Sequence, residues 1–99
     1  MNGFDNVELV KFPEIDEVDS ALLAKSFESF FKKNPEVKLH ISYKGYSKGG
    51  LRTQHELHTK AVFGGKSFFA EVVSWKLLDG VQESLKKIQR ELEKEFSHK

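Results

Sequence analysis

Val37-Lys38-Leu39-His40-Ile41-Ser42-Tyr43-Lys44 alternates without a break, apolar at 37, 39, 41 and 43 and basic or polar between. Successive side chains of a strand point to opposite faces, so this stretch is a strand with one apolar and one hydrophilic face. A face of that kind needs a cover. The flanking segments are therefore read for what could supply one. Upstream, Leu23, Phe27, Phe30 and Phe31 recur at helical spacing between Glu17 and Lys33, while Lys25, Glu28, Ser29, Lys32 and Lys33 cover the opposite side. Val18 and Leu22 extend the apolar stripe near the start. Asp16 is placed as the N-cap, Asp19 falls in the first turn where a carboxylate is favoured, and Asn34-Pro35 closes the helix. Before it, Asn6 to Phe12 is a short, partly alternating edge or near-edge strand ended by Pro13, which lacks a backbone donor.

Downstream, Gly45 to Gly50 reads as a flexible basic turn, and a third strand follows from about Arg52 to Phe63. One of its faces carries Thr53, His55, Leu57, Thr59, Ala61 and Phe63; its polar first half is expected to project past the core. Gly64-Gly65-Lys66 supplies the positive-φ positions of a tight hairpin. Ser67 to Ser74 is a fourth strand, alternating at Phe68, Ala70 and Val72. The last segment is a helix, with Leu78, Val81, Leu85, Ile88, Leu92 and Phe96 at steps of three and four. Gly80 costs that helix about 1 kcal/mol relative to Ala and marks close helix–sheet packing. The chain thus reads β-α-β-β-β-α: an α+β domain over residues 1–99, a four-stranded sheet with both helices packed on one face. The other face then displays Lys38, His40, Ser42, Lys44, Arg52, His58 and Lys60.

Ninety-nine residues leave no room for a second core. The absence of cysteine removes disulfides, thiol nucleophiles and Cys-ligated metals. No run approaches the ~18 apolar residues of a membrane span, and no secretory apolar region follows the start, so no membrane association is expected and the location is read as cytoplasmic. Net charge is only +1 but unevenly spread. Residues 1–30 hold two Lys against seven acids, residues 31–66 eight cations against two acids, and residues 67–99 six of each. An acidic start and a basic middle can produce differently charged faces.

Catalysis finds little footing. His55 and His58 point to opposite faces of a strand, so one metal does not take both. His40 and His58 are candidate cross-strand neighbours, with no carboxylate in the sequence placed to orient them; His98 belongs to the tail. Glu91, Glu93 and Glu95 alternate with cations as on a solvated helix face, and Glu14, Asp16, Glu17 and Asp19 mark a helix start. Gly65-Lys66-Ser67 sits between strands and lacks the spacing of a phosphate loop. The expectation is therefore no catalytic residue, no metal, no cofactor and no small-molecule substrate. What remains is the lysine-rich distribution, suited to the phosphates of structured RNA, which is read mainly through backbone and shape.

Three pieces of the chain resemble one family. Ile15-Asp16-Glu17 opens a helix with Leu23, Lys25, Phe27, Glu28 and Phe30 in rhythm. Val37-Lys38-Leu39-His40-Ile41 is followed by His55-Glu56-Leu57. Ala70-Glu71-Val72 precedes Lys87-Ile88-Gln89-Arg90-Glu91-Leu92-Glu93-Lys94. In this order, over about residues 7 to 96, they resemble the ribosome hibernation-promoting factor and ribosome-associated inhibitor family, also known as sigma-54 modulation proteins, in its short single-domain form. The sequence departs from that pattern at Ser20 and Ser29, where basic residues are common, and over Lys76-Leu77-Leu78-Asp79-Gly80-Val81-Gln82 at the last helix start. The resemblance implies a non-enzymatic protein that occludes the mRNA/tRNA channel of the small ribosomal subunit and modulates translation when ribosomes are idle. It implies ribosomal RNA contacts at Lys25, Lys32, Lys86, Lys87, Arg90 and Lys94, with Lys38 and Arg52 from the sheet region; Lys44 joins them as a basic residue of the open face. The alternative is a small protein–protein module or homodimer, paired through an open sheet edge and independent of RNA.

Overall fold

A computed structural model describes residues 6–50 and 52–96 and has the element order β1 (Val7–Val10), α1 (Glu17–Lys33), β2 (Lys38–Lys48), β3 (Arg52–Phe63), β4 (Lys66–Ser74) and α2 (Leu77–Phe96). The strands lie in sequence order, β1 parallel to β2 and the other neighbours antiparallel. The mixed sheet follows from connection length. Gly64 and Gly65, both at positive φ (62° and 77°), turn the chain within two residues and force β3 and β4 antiparallel. Between β1 and β2, helix α1 spans the return that a parallel pair needs.

Asp16 caps α1, its carboxylate accepting the Asp19 N–H at 2.8 Å. At the other end the Asn34 backbone and side-chain N–H groups both donate to the Phe30 carbonyl. Leu23, Phe27 and Phe30 of α1 join Val81, Leu85, Ile88 and Leu92 of α2 over Leu39, Ile41, Leu57, Ala61 and Phe68 of the sheet. Both helices cover one face, as the patterning requires. Phe96 closes the far end, packed edge-on against Phe63 and Phe68. Gly80 lets α2 ride low over the sheet: a Cβ there would stand 2.9 Å from Leu57 Cδ1. Thr59, fully inside, leaves its hydroxyl without a hydrogen-bond partner, the one buried side-chain polar atom so placed among the described residues.

Three expectations need correction. Residues 45 to 48 are not a turn: β2 runs on to Lys48, pairing Gly45 with His55, Tyr46 with Gln54 and Ser47 with Thr53, and the chain reverses at Gly49 and Gly50, both at positive φ. Gly45 is a packing glycine, since a Cβ there would meet the Tyr43 hydroxyl at 2.7 Å. β1 ends at Val10 rather than Phe12, because Lys11 takes a positive φ (61°) and turns the chain out of the sheet. Val18 and Leu22 do not join the core; they are exposed on α1. With β2 and β3 longer than either neighbour, the hairpin arm beyond β1 and β4 projects as the polar start of β3 requires. The molecule is accordingly elongated, 49 × 25 × 17 Å. Leu51 and His98 lie outside the described residues.

Candidate nucleic-acid interface

The predicted basic residues fall on three separate surfaces. The first is the seam between the helices. Ser26 and Ser29 on α1 face Gln82 and Gln89 on α2, and small or neutral polar residues let the helices approach without burying charge. Gln82 Nε2 donates to Ser26 Oγ at 3.4 Å, and Asn34 Nδ2 donates to Gln89 Oε1 at 2.6 Å, tying the α1 terminus to α2. Above this seam runs a groove lined by Leu22, Lys25, Ser26, Ser29, Phe30, Lys33, Gln82, Leu85, Lys86 and Gln89. Among the described residues three ammonium groups border it and no carboxylate does. Lys25 and Lys86, distant in sequence, are brought together here. Lys33 joins them although the sequence does not single it out; its place in the last turn of α1, favoured by the helix dipole, gives a structural reason for its charge and hides this one. Ser29, exposed on α1, lines the groove with its neutral hydroxyl.

The second surface is the outer flank of α2. Lys87, Arg90 and Lys94 share it by helical phase, one step round from Lys86. Here the cations are partly engaged: Lys87 Nζ donates to the Glu71 carbonyl at 3.2 Å, clasping α2 to β4, and Lys94 lies 3.9 Å from the Glu91 carboxylate. Lys32 stands apart on the exposed side of α1, beside a shallow hollow lined also by Lys25, Glu28, Ser29 and Phe31.

The third surface is the open face of the sheet, with Lys38 and Lys44 on β2 and Arg52 and Lys60 on β3. Lys44 Nζ sits 5.3 Å from the Tyr46 ring centre, and the Arg52 guanidinium lies 4.1 Å over the Trp75 ring. The histidines are not free of carboxylates, contrary to the sequence reading. Parallel pairing sets Glu8 opposite His40, whose Nδ1 lies 3.1 Å from the carboxylate. The β3–β4 register sets Glu71 opposite His58, and Glu56 reaches it along β3, so His58 is bracketed at 3.1 and 2.5 Å. His40 pairs with Lys60 and His58 with Ser42, so the two imidazoles are diagonal rather than directly opposed. Hydrogen bonding to His58 holds the Glu56 carboxyl below the usual carboxylate range, outweighing the opposite effect of burial. On the covered face, the Tyr43 hydroxyl bonds His55 Nδ1 at 2.7 Å, and desolvation pushes the Tyr43 phenol up. Among the described residues no group of three or more His, Asp or Glu is arranged to hold a metal ion. None of their helices is long and apolar enough to cross a membrane.

A four-stranded mixed sheet covered on one side by two helices, its long β2–β3 hairpin reaching past the core, defines a class of small α+β domain. The crystal structure of the Thermus thermophilus Protein Y N-terminal domain is similar to it: TM-score 0.59 and 11% identity, over 89% of this chain and 93% of that one. At that identity the likeness is one of fold. No protein-family model and no curated protein matches the chain.

Proposed function

We propose that residues 1–99 act as one non-enzymatic, ribosome-associated RNA-binding domain. It occludes the mRNA/tRNA channel of the small ribosomal subunit and thereby modulates translation in the cytoplasm while ribosomes are idle. The observation that carries this reading is the interhelical groove, where Lys25, Lys33 and Lys86 converge over neutral serine and glutamine side chains with no carboxylate between them among the described residues. In a chain of near-neutral net charge, such local segregation is what a phosphate backbone requires. The fold supports the same reading from another direction, because a Protein Y domain shares it and Protein Y belongs to the hibernation family that the sequence resembles. Lys87, Arg90 and Lys94 extend the cationic surface along α2, and Lys32 extends it along α1. Binding is by shape and phosphate contact, and inhibition follows from occupying space.

Co-sedimentation with small subunits, stepped from low to near-physiological salt, tests this. Stoichiometric pelleting that survives the higher salt and is displaced by initiator tRNA or mRNA is expected. Pelleting confined to low salt, or no pelleting, overturns the proposal.

A further inference from the structure

The sheet face away from the helices carries a column of apolar side chains that the fold does not use. Phe69 is 69% exposed, Val73 56% and Trp75 44%, all along or just beyond β4, with Val62 beside them on β3. Large aromatic rings are costly to leave in water, and a solvated sheet face ordinarily alternates to polar residues. The neighbouring columns carry cations at intervals: Lys60 and Arg52 toward the two ends of β3, with His58, Glu56 and Gln54 between them, and Lys38 and Lys44 on β2. Among the described residues, Glu8, Glu56 and Glu71 are the carboxylates on this face, and each is turned onto His40 or His58. The Arg52 guanidinium carbon lies 4.1 Å over the Trp75 ring, a cation–aromatic contact at the exit of β4.

We propose that this face is a second binding surface, specific for unpaired RNA: bases stack on Phe69 and Trp75 while the phosphates run along Lys60, Arg52 and Lys44. Rings at an exposed sheet surface beside a cationic track are the two parts that single-strand recognition needs, since every base offers a π-face and every nucleotide a charge. A duplex, whose bases are already stacked on one another, cannot use the rings. The surface lies on the opposite side of the sheet from the lysine groove, so its occupancy does not depend on the ribosomal reading.

Trp75 is the only tryptophan, so its fluorescence reports this site directly. Titration with an unstructured single-stranded oligoribonucleotide is expected to quench Trp75 saturably. Phe69→Ala is expected to weaken that binding about tenfold, as removal of one base–aromatic stack does. The same RNA annealed to its complement is expected to produce little quenching. Phe69 is exposed on an edge strand, so its truncation leaves the fold intact, checked by the melting curve. Absence of quenching, equal quenching by duplex, or an isotherm unchanged in Phe69→Ala each overturns the inference. So does concentration-dependent dimerisation in sedimentation that Phe69→Ala abolishes, which would make the face a contact between copies of this chain. Lys25→Gln/Lys33→Gln/Lys86→Gln, altered only in the helical groove, is expected to retain oligonucleotide binding. Loss of oligonucleotide binding with ribosome pelleting intact removes this surface alone; the reverse result removes the ribosomal reading alone.

Discussion

Neutralising Lys25, Lys33 and Lys86 together to Gln asks whether the interhelical groove holds phosphates. Each side chain borders the groove outside the core, so the fold stays close to its original stability. Surface changes of this kind cost within about 0.5 kcal/mol, with a further ~0.3–1 kcal/mol for Lys33 in the last turn of α1. The effect on RNA is larger. Each phosphate that is no longer neutralised lowers the dependence of log K on log salt by about 0.9, so three of them remove about 2.7 from the slope. Between 50 and 200 mM salt, a factor of four, the unaltered protein should lose roughly 40-fold more affinity for small subunits than the triple variant does. Quantitative co-sedimentation across that range reads both slopes. A control with Lys11, Lys66 and Lys76 changed to Gln alters net charge equally but touches none of the three basic surfaces, and its slope should match the original. Identical slopes for the groove variant and the original protein would refute the assignment of phosphates to the groove, and a shallower slope for the control would show that net charge alone governs binding.

Other consequences concern the fold. Thr59→Val replaces a buried, unpartnered hydroxyl by a methyl of similar shape in a strand, and thermal melting should show a gain of about 1 kcal/mol. Gly80→Val drives a branched side chain into Leu57 beneath α2, and denaturant titration should show a loss of about 2–3 kcal/mol despite the better helix propensity. Phe27→Ala empties the centre of the core, where the ring is fully buried, at a cost of about 3–5 kcal/mol by the same titration. Glu56 has a carboxyl pKa lowered on folding, so its contribution is present above the ordinary carboxylate range and is lost as pH falls through the lowered value. Glu56→Gln should therefore make stability less dependent on pH in that acidic window, measured as melting temperature against pH.

How much of the fold is legible in the sequence varies by element. The alternation of Val37 to Lys44 and the stripe from Leu78 to Phe96 report on a single periodicity each, and both elements stand where the pattern puts them. Gly45 to Lys48 misleads because glycine and serine signal a turn by composition, whereas Gly45 is required by the Tyr43 ring two residues away and pairs with His55 across the sheet. Val18 and Leu22 mislead because helical phase gives a direction but not the extent of the surface that waits to be covered. The carboxylates around His40 and His58 are the least legible: Glu8 and Glu71 are 32 and 13 positions from their histidines, and only strand register makes them neighbours.

The interface divides along the same line. Which side chains are cationic, and that Lys86 and Lys87 point to different flanks of α2, follow from the order of residues and the helical repeat alone. That Lys25, Lys33 and Lys86 border one groove does not, because it depends on how α1 lies against α2, set by Ser26, Ser29, Gln82 and Gln89 at the seam. The contact of Arg52 with Trp75 depends likewise on the β3–β4 register. Local pattern determines the elements and the face each residue occupies, since both arise from backbone geometry within a few residues. Convergence of charge and exposure of aromatic rings are properties of surfaces assembled from distant segments, and packing of the elements decides them.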